Sequence, residues 1–320
     1  MKIVKYISCL LVIILLSFVL PRIIPGSPLS TSEGDAYILN TKLPEETFNM
    51  YKEYYSPEKP MAVQFVMYVK HLASFDLGYS FYYKMPVVKL IGGRILWTIL
   101  LSVISIIISA YIGITLGLKA AIKGGGKFKN LLLLGFTSLQ AIPAFIAAIL
   151  IQLIFSYKLH LFPSSGAYTA GAELFTFEFY KDVLKHTILP LSTLVIMEIP
   201  SVFLLTYNVS SKVKAANHVK MACFLNINKR TIEKKFILRN SLPEILSKLN
   251  IQFLYAISGT LFVEAVFSYP GMGTLLKVSA SSCDYPLLQG MLLVIGFYGV
   301  LVNSVFEIVM RRYNPRFYNV

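Results

Sequence analysis

Asn208–Leu249, NVSSKVKAANHVKMACFLNINKRTIEKKFILRNSLPEILSKL, is the stretch that decides how this chain is read. It holds nine Lys or Arg (Lys212, Lys214, Lys220, Lys229, Arg230, Lys234, Lys235, Arg239, Lys248) against two acids, Glu233 and Glu244. Long apolar runs flank it on both sides. A basic segment between two membrane spans belongs on the cytoplasmic side by the positive-inside rule. It is too rich in apolar residues, among them Val219, Met221, Ala222, Phe224, Leu225 and Ile227, for a floppy linker. It reads as a folded docking surface for a cytoplasmic partner.

The rest of the chain supplies the membrane. Apolar residues make up 56% and charged residues 14%, and the mean hydropathy is +0.65, outside the soluble range. A helix needs roughly 20 apolar residues to cross a hydrocarbon layer of about 30 Å. Six segments qualify: an N-terminal one within 1–24, then about 95–118, 130–157, 187–208, 249–266 and 286–306. Barrel-like alternation is absent, so the expected fold class is an all-α polytopic membrane protein.

A formal net charge of +14 suggests nucleic acid, but its distribution argues otherwise. Lys2 and Lys5 lie at the N-terminus. Lys119, Lys123, Lys127 and Lys129 surround Gly124-Gly125-Gly126, and Arg311, Arg312 and Arg316 mark a tail over 311–320. Basic residues thus fall in alternate loops, which places both termini in the cytoplasm. The first span could instead be a cleaved signal peptide, although its apolar core is long and no small-residue cleavage site follows. Cys9, Cys223 and Cys283 lie in different compartments and offer no disulfide frame.

Residues 25–94 form an extracytoplasmic segment. One helix is expected from Leu43-Pro44-Glu45-Glu46, and a second from Pro60 through Leu72. It reads either as a small cap or as the surface that meets a substrate-carrying partner. Between the third and fourth spans, the clustered Phe175, Phe177, Phe179 and Tyr180 suit an interfacial helix at headgroup level. The core, 95–310, holds the coupling loop 209–248.

Catalytic chemistry is missing. His71, His160, His186 and His218 are scattered, with no metal-ligand spacing and no paired carboxylates. No phosphate loop occurs: Gly126-Lys127 lacks a glycine five residues earlier and is followed by Phe128. If ATP drives the protein, another chain binds it. Glu198, Glu264 and Glu307 fall within or near spans, where a charge costs on the order of 3 kcal/mol. Glu264 and Glu307 sit near span ends, where they could reach water. Glu198 is deeper, and with Gln140 it is a candidate for a polar translocation pathway or for pairing with another subunit.

Phe262–Gly273, FVEAVFSYPGMG, resembles the E-x-x-F-x-x-P-G-x-G signature of the inner permease subunits of ATP-driven dipeptide, oligopeptide and nickel importers (DppB/OppB-like). Asp284-Tyr285-Pro286-Leu287-Leu288-Gln289-Gly290 resembles the D-Y-P-x-x-Q-G that opens their last helix. Asn303 matches a late Asn, and Asn314-Pro315-Arg316 a D-P-R ending. Upstream, Ile24-Pro25-Gly26-Ser27-Pro28, Asp76-Leu77-Gly78-Tyr79-Ser80, Pro86-Val87-Val88, Ile142-Pro143-Ala144-Phe145 and Leu161–Gly166 resemble further family motifs in order. The resemblance makes Glu264, Pro270, Gly271, Gly273, Asp284 and Pro286 structural turn residues.

The same resemblance places an ATPase-coupling motif in the basic loop, carried here by Val219, Lys220, Met221, Ala222, Phe224, Leu225 and Asn226, then Arg239 and Asn240. Phe224 stands where the family has a small residue, and Asn226 where it has Gly. Asn tolerates the left-handed backbone better than most residues. A short helix, roughly Val219–Asn226, is expected to insert Met221, Phe224 and Leu225 into a groove on an ATPase. The implied fold is that of a type I importer permease (MetI-like) with six transmembrane helices, the first of them wrapping a partner. The implied partners are a second, homologous permease, two ATPase subunits carrying ATP–Mg, and an extracytoplasmic substrate-binding protein. The chain itself binds lipid but no cofactor, metal or nucleic acid, and is no enzyme. Peptide is the expected cargo, with nickel or a metal chelate as the alternative. A stand-alone secondary transporter centred on Glu198 is the reading from another class.

Overall fold

The computed structural model describes residues 2–23, 58–123, 126–173 and 175–313. The Ile24–Pro28 motif, the helix expected from Leu43, Gly124-Gly125 and Asn314-Pro315-Arg316 lie outside the described residues. The helices are α1 (Lys2–Ile23), α2 (Met61–Ala73), α3 (Val87–Lys123), α4 (Lys127–Gln140), α5 (Ala144–Gln152), α6 (Phe177–Lys214), α7 (Asn217–Phe224), α8 (Lys229–Thr231), α9 (Arg239–Val266), α10 (Met272–Ser281) and α11 (Tyr285–Tyr313). The strands β1 (Tyr79–Ser80) and β2 (Met85–Pro86) form an antiparallel hairpin. π-Helical turns at Leu153–Lys158 and Ile232–Leu238 extend α5 and join α8 to α9. Among the described residues five helices are long and apolar enough to cross a membrane, or six if the bent pair of α4 and the following helix is one span.

That bend is the main departure from six plain spans. The run 130–157 is apolar throughout, yet the chain turns by 97° between its halves. Pro143 has no N–H and its ring excludes the carbonyl of Leu139, while the residue before a proline avoids helical backbone. α5 restarts with the Pro143 carbonyl accepting from Ile146 and Ala147. Elsewhere the helices outrun their apolar windows. Thr176 caps α6 by accepting from the Phe179 N–H at 3.2 Å, so Phe177, Phe179 and Tyr180 open that same helix and no separate interfacial helix forms. Charged side chains at such ends extend beyond the hydrocarbon, and nothing between Phe177 and Thr187 stops the helix.

The chain divides into two compact units. The first comprises residues 1–96 and 274–301. In it α1 packs on α2 through Phe18 and Phe65, edge to face at 5.2 Å, and through a 2.9 Å bond between the Ser17 and Tyr68 hydroxyls. Arg22, a costly residue at the end of an apolar helix, lays its guanidinium 3.7 Å over the Phe18 ring and donates to the Phe18 carbonyl and to Gln64. The hairpin is anchored by Asp284, which accepts from Ser80 Oγ at 2.5 Å and from the Tyr82 N–H at 3.2 Å.

The second unit comprises residues 97–273 and 302–320. Its core gathers Leu101 of α3, Ala148 of α5, Leu189 and Leu194 of α6, and Val263 of α9, together with Phe267 and Tyr269. A second cluster joins Val202 and Val209 of α6 to Ile245 and Leu249 of α9, with Phe306 of α11 against it. Asn250 donates to Asn303 at 2.7 Å, satisfying both side chains in part within the helix packing.

Gly113 and Gly117 let α3 and α6 meet backbone to backbone. A Cβ at Gly113 would lie 2.7 Å from Val202 Cβ, and one at Gly117 2.7 Å from the Phe203 carbonyl. This is the small-xxx-small spacing by which apolar helices gain dispersion contact where no hydrophobic drive separates them from lipid. Gly117→Leu is expected to destabilise the unit by about 1–3 kcal/mol or more, read as loss of the monodisperse peak in detergent size-exclusion. Gly135→Leu on α4, where a Cβ meets nothing within 4 Å, keeps the peak. Equal profiles would deny the crossing its role.

Candidate functional site: a coupling surface, a turn and a polar cavity

The basic loop is almost wholly helical. α7 is an eight-residue helix whose Val219 and Ala222 are buried against Ile232 and Ile237, with Leu118, Ile122 and Val213 packed around them. The opposite face is apolar and bare: Met221, Phe224 and Leu225 are 64%, 86% and 66% exposed. Asn226 ends the helix in left-handed backbone, φ 50°, with its N–H on the Cys223 carbonyl and the Ile227 N–H on that of Ala222. Asn thus performs the turn for which Gly is usual. The helix runs Asn217–Phe224 rather than Val219–Asn226, because Leu225 and Asn226 form its closing turn.

The second half of the motif is brought to the first. Asn240 donates to the Phe236 carbonyl at 2.7 Å and lies 3.4 Å from His218 Nε2. Lys220 and Arg239 are exposed. Lys214 Nζ donates to the carbonyls of Ala121 and Ile122 at 3.1 and 2.7 Å, tying the end of α6 to the end of α3.

Glu264 does not reach water. It is fully buried, and its carboxylate accepts from the Gly273 N–H at 2.7 Å. The bend that permits this passes through Ser268 (φ 47°) and the partly buried Pro270, with the Tyr269 N–H returning to the Glu264 carbonyl. A Cβ on Gly271 would run into the Glu264 carboxylate, and one on Gly273 into the Leu261 backbone. Met272 N–H donates to Thr98 Oγ1 at 2.8 Å, and Tyr269 bonds Thr187 at 3.0 Å. In the other unit, Asp284 precedes α11 and accepts from the Leu287 N–H at 3.4 Å, while Pro286 occupies the first turn, where its missing N–H costs nothing. Burial raises the Asp284 carboxyl above the usual carboxylate range, with the Ser80 hydroxyl pulling against it. These six residues lie in turns or at helix ends, and none of them lines the cavity between α3, α6 and α9. Glu307, by contrast, is partly exposed on α11.

The third feature is a cavity of about 430 Å³ inside the second unit, between α3, α6 and α9. It brings Glu198 and Gln140 together, Gln140 arriving there because α4 ends at the proline break. Glu198 accepts from Ser105 at 3.3 Å and Ser109 at 2.9 Å. Ser109, Ser201, Gln252 and Tyr255 also line it. Reading the sequence missed these partners, although Ser102, Ser105 and Ser109 recur at helical spacing on one face of α3, a signal available in the chain. The exposed Gln140, Ile251 and Tyr255 leave the cavity open on one side.

Long apolar helices with a polar cavity among them, and a short helix pinned against Leu118, Ile122 and Val213, describe a multi-pass membrane protein. Residues 113–318 match the family of the binding-protein-dependent transport system inner membrane component. The chain belongs to that family: it is the permease subunit of an ABC importer, working with ATPase subunits and a substrate-binding protein, and is no enzyme itself. A Brucella ovis protein named "Putative peptide permease protein" is 30% identical over 96% of this chain and 94% of its own length. The glutathione transport system permease protein GsiC of Salmonella paratyphi A is 26% identical over 98% and 96%. A chain from the inward-facing MetNI methionine ABC transporter shares the fold, with a TM-score of 0.56 at 13% identity, covering 71% of this chain and 97% of that one. The secondary-transporter reading falls with this assignment.

Gly273→Ala is expected to lower stability by about 1–3 kcal/mol by forcing the Leu261 backbone away. Gly259→Ala, with nothing within 4 Å, leaves stability unchanged or slightly raised. Melting midpoints of the two purified variants in detergent check the contrast.

Proposed function

We propose that this chain forms half of a pathway for peptides, together with a similar but distinct permease, above two ATPase subunits that hold ATP–Mg. Both termini then lie on the ATPase side. The observation that carries the coupling reading is the division of α7 into a buried face, Val219 and Ala222, and a bare apolar face, Met221, Phe224 and Leu225. A helix held so firmly from behind transmits a push rather than absorbing it. Large exposed apolar side chains ringed by cations suit a partner groove with an acidic rim.

The open side of the cavity supports a second permease, since half a pathway needs another wall. Relatives named for peptide and glutathione support peptide cargo; nickel or a chelate gains no such support. Closure of the ATPase pair would move α7 with α6 and α9 as a rigid body.

The test is co-purification of the tagged chain from cells expressing the complete importer, wild type beside Phe224→Asp. A carboxylate placed in an apolar groove costs several kcal/mol, so the ATPase yield is expected to fall at least tenfold while the second permease stays. ATPase retention at the wild-type level would remove the coupling face. A wild-type chain that brings ATPase but no distinct permease would remove the heterodimer.

A further inference from the structure

Glu198 is a carboxylate among helices, and the groups donating to it are neutral hydroxyls, Ser105 and Ser109. Among the described residues no basic side chain lines the cavity it shares with Gln140 and Gln252. An ionisable group at membrane depth is costly and is kept where something pairs with it. A second observation is independent of the first. Gln252 donates its amide nitrogen to Ser201 Oγ, which turns the other end of the amide away, and its Oε1 is buried without a hydrogen-bond partner among the described residues. The cavity thus offers the Glu198 carboxylate, to which the two hydroxyls leave further lone pairs, while Gln252 Oε1 lies sealed within its wall.

Such a site calls for a donor that is cationic and carries several protons. We propose that the cavity is a transit site for the free amino terminus of a short peptide, whose ammonium group pairs with Glu198 while its side chains lie against Ile106, Leu194 and Met197. This rests on the peptide reading above. An ammonium has three donors and no acceptor, which matches a carboxylate with lone pairs to spare. The cavity volume, about 430 Å³, lies in the range of roughly 300–1,000 Å³ typical of small-ligand sites. Its open side favours weak, passing occupancy, which transit requires.

The experiment is saturation-transfer NMR on the detergent-purified permease–ATPase complex without its binding protein, probed with tri-alanine and N-acetyl-tri-alanine at millimolar concentration. Wild type is expected to bind tri-alanine about tenfold more tightly than the acetylated peptide, the scale of one charge-assisted contact. Glu198→Gln is expected to abolish that preference by weakening tri-alanine alone, and Glu198→Asp to retain part of it. Equal binding of both peptides by wild type, or no binding of either, overturns the site, and so does a preference that survives Glu198→Gln. The wild-type comparison stands even if the Gln variant does not fold. Uptake of tri-alanine by the complete importer reads the cargo separately: uptake with no acetylation effect in NMR sinks only this site, and no uptake sinks the peptide reading with it.

Discussion

Hydrocarbon offers no partner for a backbone N–H or carbonyl, and the rest of this structure answers that constraint. Helices satisfy the bulk of it. Hydroxyls within the spans meet the same constraint by folding back on their own helices: Ser102, Thr193 and Thr260 each donate to a carbonyl three or four residues earlier. Where the ladder fails, something else fills in. At Pro143 the chain bends by 97°, and the freed end of α4 delivers Gln140 to a cavity rather than to lipid. At the turn after α9, Gly273 N–H has no helical acceptor, and Glu264 supplies one.

The same constraint decides where charge can stay. Glu264 is fully buried, its position dictated by a turn too tight for any side chain at Gly271 or Gly273. Arg22 lies over a ring and reaches carbonyl and amide oxygens. Lys214 is spent on the last carbonyls of α3, which have no partners of their own. Glu198 differs from all of these, since its hydroxyl donors would satisfy a neutral acid as well as an anion. A turn is built on the side-chain oxygens of Glu264, whereas the two serines around Glu198 build no turn on it.

Much of this was legible beforehand, and the reasons are specific. Spans declare themselves by composition, because about twenty apolar residues in a row have few other uses. The exposed triad Met221, Phe224 and Leu225 was legible through the coupling motif that the basic loop resembles. Turn residues were legible only through a motif, since spacing cannot say that a buried Glu caps a glycine nine residues on; position near a span end pointed to water instead. Helix ends were not legible either. Apolar windows mark the membrane, while caps such as Thr176 and breaks such as Pro143 mark the helix, and the two need not coincide. The cavity was half legible: Glu198 and Gln140 are conspicuous polar residues in apolar runs, but their meeting depends on a bend of the chain.

Connectivity joins the coupling surface to the cavity without any further device. Glu198 and Ser201 stand on α6, which ends at Lys214 and passes through Ala215 and Ala216 directly into α7. Gln252 and Tyr255 stand on α9, which is continuous through the π-helical turn with the residues that bury the back of α7. The helices on either side of the pinned segment are therefore the ones carrying these cavity residues. Glu198 stands sixteen positions before Lys214, the last residue of α6, about 24 Å along a helix, so a modest tilt at the α7 end displaces the cavity wall by ångströms. Pro200, two residues beyond Glu198, removes a backbone bond at the cavity itself. In the coupling proposed above, a push on α7 is carried along α6 to a turn that lacks one backbone bond beside the carboxylate, so the cavity wall is where such a push would be felt.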